Sequence, residues 1–151
     1  MEKAFIFRLP DELLDDIYCE HGYYLEKGNS LIFEGAAGSE KIRRLAESYK
    51  ASPPKEIDGS AITEVVDFSE GGIRDVEGDL LPKEKMTMFN LADGRRIAVR
   101  PSGTEPKIKF YLFGRSTVAD HASLSSTKAA LDKSLNRLRD WLRADAEQRV
   151  A

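Results

Sequence analysis

Apolar positions change period several times along the chain, and each change marks an element. After Pro10, the residues Leu13, Leu14, Ile17 and Tyr18 share one helical face. Pro10 opens that helix, Asp11 and Glu12 suit its positive end, and Gly22 stops it. Tyr23 to Glu34 alternates loosely, predicting one or two strand pieces with Gly28-Asn29 as a turn or bulge. Ser39 is the candidate N-cap of a second helix carrying Ile42, Leu45, Ala46 and Tyr49, which Pro53-Pro54 ends. Ile57 to Phe68 reads as a strand with a weak point at Gly59. A Gly-rich acidic loop runs from Ser69 to Asp79. Met86 to Leu91 and Arg96 to Arg100 then flank Asp93-Gly94, the strongest short-range hairpin signal in the chain.

A further strand runs from Ile108 to near Gly114. The clearest helix closes the sequence, with Leu124, Leu131, Leu135, Leu138 and Leu142 on one stripe and Trp141 at its edge. Ser123, Ser125 or Ser126 is its candidate cap. Residues 1–9, with Phe5, Ile6 and Phe7, fit either a short strand or an exposed arm. The fold class is therefore α+β: an antiparallel sheet with helices packed on one face, in β-α-β4-α order, preceded by a short helix. That first helix must bury Leu13, Leu14, Ile17 and Tyr18, on the body of a lone domain or on a preceding domain of a longer protein.

Composition narrows the partners. The 151 residues hold 23 Lys plus Arg and 26 Asp plus Glu, a net charge of −3 that disfavours a general nucleic-acid binder. Cys19 is the single cysteine, so no intramolecular disulfide forms and a reducing compartment is the default. No signal peptide or membrane-length apolar run is present, and a soluble cytoplasmic protein without membrane partners is expected. His21 and His121 lie far apart and read as surface residues, Cys19 as a small buried side chain. Asp75, Glu77 and Asp79 read as a solvated acidic loop, and Arg95-Arg96 as turn decoration. No metal site is expected.

The densest chemistry lies in Arg100-Pro101-Ser102-Gly103-Thr104-Glu105-Pro106-Lys107, between two strands. Arg100 offers a donor fork matched to phosphate, Ser102 and Thr104 add hydroxyls, and Gly103 lets backbone N–H groups approach a ligand. Lys107 and Lys109 raise the local potential, and Glu105 is placed to hold Arg100. From the residues alone, an ordinary polar hairpin remains the alternative.

That run, with Lys109 and Tyr111, resembles the phosphate-binding loop in the fourth, C-terminal domain of the α-D-phosphohexomutases, the phosphoglucomutases and phosphomannomutases. Leu13 to Tyr18, His21-Gly22-Tyr23-Tyr24 and Ile57-Asp58-Gly59 agree with it, so the resemblance spans about residues 10–145. It implies a β-α-β4-α domain at 22–151, with 1–21 an arm and helix leading to a missing preceding domain. Arg100, Ser102, Gly103 and Thr104 would bind the substrate phosphate, supported by Glu105, Lys107 and Lys109. It further implies an isomerase moving a phosphoryl group between the 1- and 6-positions of a hexose phosphate through a hexose bisphosphate intermediate.

No Thr-x-Ser-His-Asn, Asp-Gly-Asp-x-Asp-Arg or Gly-Glu-x-Ser segment occurs. The resemblance therefore assigns the phosphoserine, the Mg²⁺ site and sugar discrimination to domains absent from this sequence. No catalytic residue falls in the chain, the fragment alone is expected to be inactive, and glucose, mannose and amino sugars are not distinguished. The alternative reading is a stand-alone, non-catalytic phosphosugar-binding or interaction module.

Overall fold

The computed structural model describes residues 10–151; the reading of residues 1–9 lies outside that range. Helix α1 (Pro10–His21) leads into strand β1 (Tyr23–Ile32), helix α2 (Gly38–Ala51), strands β2 (Glu56–Ile57), β3 (Ser60–Asp67), β4 (Thr87–Leu91), β5 (Arg96–Pro101) and β6 (Lys107–Ser116), and helix α3 (His121–Val150). The strands form one antiparallel sheet in the order β1-β6-β5-β4-β3-β2.

One face of the sheet builds the core. Ile108, Phe110 and Leu112 alternate along β6, joined by Ile97 and Val99 of β5, Phe89 and Leu91 of β4, and Leu31 of β1. They meet Ile42, Leu45 and Tyr49 of α2 and Leu135, Leu138, Leu142, Ala146 and Val150 of α3 in a single cluster. Trp141 packs, partly buried, at its margin. Helix α3 comes so near the sheet that a Cβ on Gly114 would stand 2.7 Å from Leu131 Cδ1. This is the α+β layer pair expected from the sequence.

Several local readings differ. Gly28-Asn29 makes no turn: β1 runs unbroken and pairs residue for residue with β6 from Tyr23↔Ser116 to Ile32↔Lys107. A ten-residue ladder outweighs one weak strand former. The Ile57–Phe68 stretch is instead a hairpin, β2 and β3, turning at Asp58-Gly59. Both turn residues have positive φ (48° and 75°), as a two-residue type I′ turn requires. Helix α2 starts before Ser39, with Ala37 at the N-cap and no side-chain cap. Gly38 packs so tightly that a Cβ would lie 1.9 Å from the Phe33 carbonyl oxygen and 3.1 Å from Pro106 Cβ. Asp120 caps α3, accepting from the Ser123 N–H while the Ser123 hydroxyl accepts from the Asp120 N–H, a reciprocal capping box.

Arg95 is the sharpest departure. Rather than decorating its turn it is 6% exposed, bonded to Asp58 Oδ2 at 2.6 Å and Asp93 Oδ2 at 2.8 Å. The two Asp-Gly turns are thereby clamped together through one guanidinium.

Candidate functional site

The Arg100–Lys107 loop joins β5 to β6 and is closed by its backbone: the Ser102 N–H donates to the Lys107 carbonyl at 2.8 Å, and the Lys107 N–H to the Glu105 carbonyl at 2.7 Å. Outside this ring, the Phe33 N–H donates to the Pro106 carbonyl at 3.0 Å. The start of α2 packs on the same proline. At the tip, the N–H groups of Thr104 and Glu105 both point at Ser102 Oγ, at 3.4 and 3.3 Å. These are long contacts, and two amides converging on one oxygen suit a stronger acceptor.

The cations follow from register. Strand β6 buries Ile108, Phe110 and Leu112, so Lys107, Lys109 and Tyr111 face the side of the sheet that carries no helix. Arg100 is the direct cross-strand partner of Lys109. Two like charges opposed in an antiparallel ladder weaken strand pairing rather than support it. Ala98, on the same face, is 2% exposed, flanked in the ladder by Tyr111 and Met88.

One pairing expected from the sequence is corrected. Glu105 does not hold Arg100: its carboxylate lies 2.9 Å from Lys107 Nζ, and that ammonium keeps its carboxyl below the usual range. The partner of Arg100 is Glu84, at 3.3 Å, with both side chains about half exposed. Asp93, the next acid back along the chain from Arg100, is taken by Arg95 at 2.8 Å, so the partner of Arg100 comes from the segment before β4.

Ser102 and Gly103 also border a cleft of 410 Å³ between α2 and the β4–β5 side of the sheet. Its floor is apolar (Ile42, Met86, Val99), and Ser39 and Lys85 line its rim. Ser39 sits in the first turn of α2, which has no side-chain cap and whose Gly38 N–H donates to the Gly35 carbonyl at 3.0 Å. Sequence reasoning did not single out Glu84 and Lys85, and marked Ser39 only as a helix cap. The acidic-basic pair Glu84-Lys85 just before a predicted strand was the only signal for those two.

Other candidates resolve plainly. His121 pairs with Asp16 at 2.9 Å, and Lys128 with Asp15 at 3.3 Å, fixing α1 against α3. The Asp75 carboxylate accepts from the N–H groups of Glu77 and Asp79, folding the acidic loop on itself. Among the described residues no group of three or more His, Cys, Asp or Glu is arranged to hold a metal ion. The Mg²⁺ that the resemblance implies thus has no fitting ligand set here. No helix among them is long and apolar enough to cross a membrane.

Residues 41–124, more than half of the chain, match the family described as phosphoglucomutase/phosphomannomutase, C-terminal domain. A phosphoglucomutase of Staphylococcus saprophyticus is 36% identical over 105 residues, covering 66% of this chain and 19% of its own length. A phosphoglucomutase of Staphylococcus epidermidis is 35% identical over 125 residues, covering 80% of this chain and 22% of its own. The chain thus spans about a fifth of the length of the curated relatives it matches. Among solved structures, the open form of pp63/parafusin from Paramecium, an exocytosis-sensitive phosphoprotein and phosphoglucomutase, aligns over 89% of this chain and 23% of that one. Its identity is 15% and its TM-score 0.44, too slight a likeness to bear on function.

Proposed function

The chain belongs to the phosphoglucomutase/phosphomannomutase family as its C-terminal domain, and from that premise we propose that its Arg100–Lys107 loop grips the phosphate of a hexose phosphate. The observation that carries this reading is the opposed Arg100–Lys109 pair beside a loop tip whose amides converge. An oxyanion there relieves the repulsion and replaces two weak hydrogen bonds with charge-assisted ones.

Arg100 supplies the guanidinium fork and Lys109 a point charge. Ser102 and Thr104 supply hydroxyls, and the Gly103–Glu105 segment supplies backbone donors. None of these groups makes or breaks a bond. Their contribution is positioning and electrostatic stabilisation of a substrate or bisphosphate intermediate whose other end reacts elsewhere. In the intact protein the reaction is exchange of a phosphoryl group between the 1- and 6-positions, with the phosphoserine, Mg²⁺ and sugar-reading groups on other domains. This chain by itself turns nothing over.

The boundary read from the sequence, an arm and helix over 1–21 and the domain over 22–151, is kept as part of this proposal. Asp15 and Asp16 face α3, while Leu13, Leu14 and Ile17 remain 53%, 43% and 43% exposed. Such a stripe suits packing against a preceding part of a longer protein better than a free-standing module, which would cover it.

The test is an amide-shift titration of the ¹⁵N-labelled chain with inorganic phosphate. Shifts centred on residues 100–109, abolished in Arg100→Ala, are expected. Shifts that persist unchanged in that variant place the anion elsewhere, and sugar-phosphate turnover by the isolated chain would refute its non-catalytic role.

A further inference from the structure

The cations of this loop are not free. Glu84 stands on Arg100 at 3.3 Å and Glu105 on Lys107 at 2.9 Å, so two carboxylates already oppose the three positive charges of Arg100, Lys107 and Lys109. Glu84 comes from outside the loop, in the segment between β3 and β4, and its backbone is anchored at both ends. Its N–H donates to the Phe68 carbonyl at 3.2 Å and its carbonyl accepts from the Met86 N–H at 2.8 Å. The carboxylate is therefore delivered to Arg100 by a fixed stem.

We propose that Glu84 is an internal competitor for the anion: its carboxylate occupies Arg100 in the unliganded chain and leaves when phosphate binds. This rests on the phosphate reading of the loop. A tethered carboxylate acts at an effective concentration on the order of millimolar, so a dissolved monoanion gains little by exchanging with it. A phosphate monoester carries about −1.5 to −2 at pH 7 and three acceptor oxygens, enough to engage Arg100, Lys109 and the loop amides together. Glu84 thus sets a threshold that dianionic phosphates pass and carboxylates do not. A purely orienting role for Glu84 requires the pair to survive binding. A surface pair this exposed is weak enough to give way.

The experiment titrates the ¹⁵N,¹³C-labelled full chain and its Glu84→Gln variant with inorganic phosphate, following the amides of 100–109 and, in the unmodified chain, the Glu84 side-chain carboxyl carbon. The variant is expected to bind phosphate about two- to five-fold more tightly, with the Glu84 carboxyl signal moving at the same midpoint as the loop amides. Equal or weaker binding by the variant, or a carboxyl signal that stays still while the amides titrate, overturns the proposal and makes Glu84 a positioning residue. If no amide in 100–109 moves in either protein, the phosphate reading itself fails and this inference falls with it.

Discussion

Arg95 and Arg100 lie five residues apart on one hairpin and do opposite work. The first is 7% exposed in its side chain and held by carboxylates from two turns; the second is 48% exposed and held by a single carboxylate at 3.3 Å. Burial decides the difference. A guanidinium withdrawn from water must keep its partners, because losing one strands the other charge in a poor solvent. A guanidinium half in water can exchange a carboxylate for another anion at little cost. The same side chain thus serves as a fastener at one end of β5 and, in the function proposed above, as a phosphate contact at the other.

The largest effect should come from breaking the fastener. Arg95→Ala leaves Asp58 and Asp93 facing each other across a gap and is expected to cost about 3 kcal/mol in urea unfolding. Arg100→Ala is expected to stay within about 0.5 kcal/mol of the unmodified chain, as surface changes usually do. Equal losses in the two variants would break the comparison at its root.

An intermediate case sharpens it. Lys50 meets Asp67 at 2.6 Å, at 46% and 23% exposure, and the Ser69 N–H and hydroxyl also donate to Asp67. Led by the Lys50 ammonium, these donors hold the Asp67 carboxyl at about 2, against an ordinary 3.8. The folded state therefore binds this proton later than the unfolded chain. The stabilisation is complete above pH 3.8 and is lost as pH falls toward 2. Asp67→Asn should remove about 1 kcal/mol at pH 7, discounted for the exposed lysine. It should also flatten the acid limb of the stability curve between those pH values, measured by urea unfolding at several pH values. An unaltered acid limb would mean the pair contributes nothing.

How much of this was legible depends on whether information is local. The α1, α2 and α3 stripes, the Asp93-Gly94 turn and the loop between β5 and β6 are written in runs of neighbours, and their chemistry could be read directly. What escaped is set by pairing at a distance. That β1 lies beside β6, and so stays straight through Gly28, depends on a partner some eighty positions away in the register. The clamp on Arg95 needs Asp58, thirty-seven positions earlier. Glu84 reaches Arg100 only because β4 and β5 are adjacent in the sheet; by sequence, Glu105 is the nearer acid and the wrong one. Donor inventories survive this limitation because they need only composition, whereas partner assignments do not.

The smallest expected energy is the most informative about the site. Cross-strand like charges cost a few tenths of a kcal/mol, up to about 1, and Glu84 offsets part of that for Arg100 against Lys109. A double-mutant cycle on Arg100→Ala and Lys109→Ala, measured by urea unfolding in phosphate-free buffer, should give an unfavourable coupling of about 0.3 kcal/mol. In saturating phosphate the same cycle should change sign, because both cations then share one anion and each strengthens the hold of the other. Arg95 should behave differently: its partners are part of the fold, so phosphate should not reverse the sign of their coupling. A cycle that keeps its sign and size with phosphate present would make Arg100 and Lys109 independent surface charges, and β5 would then carry a fastener at one end and no site at the other.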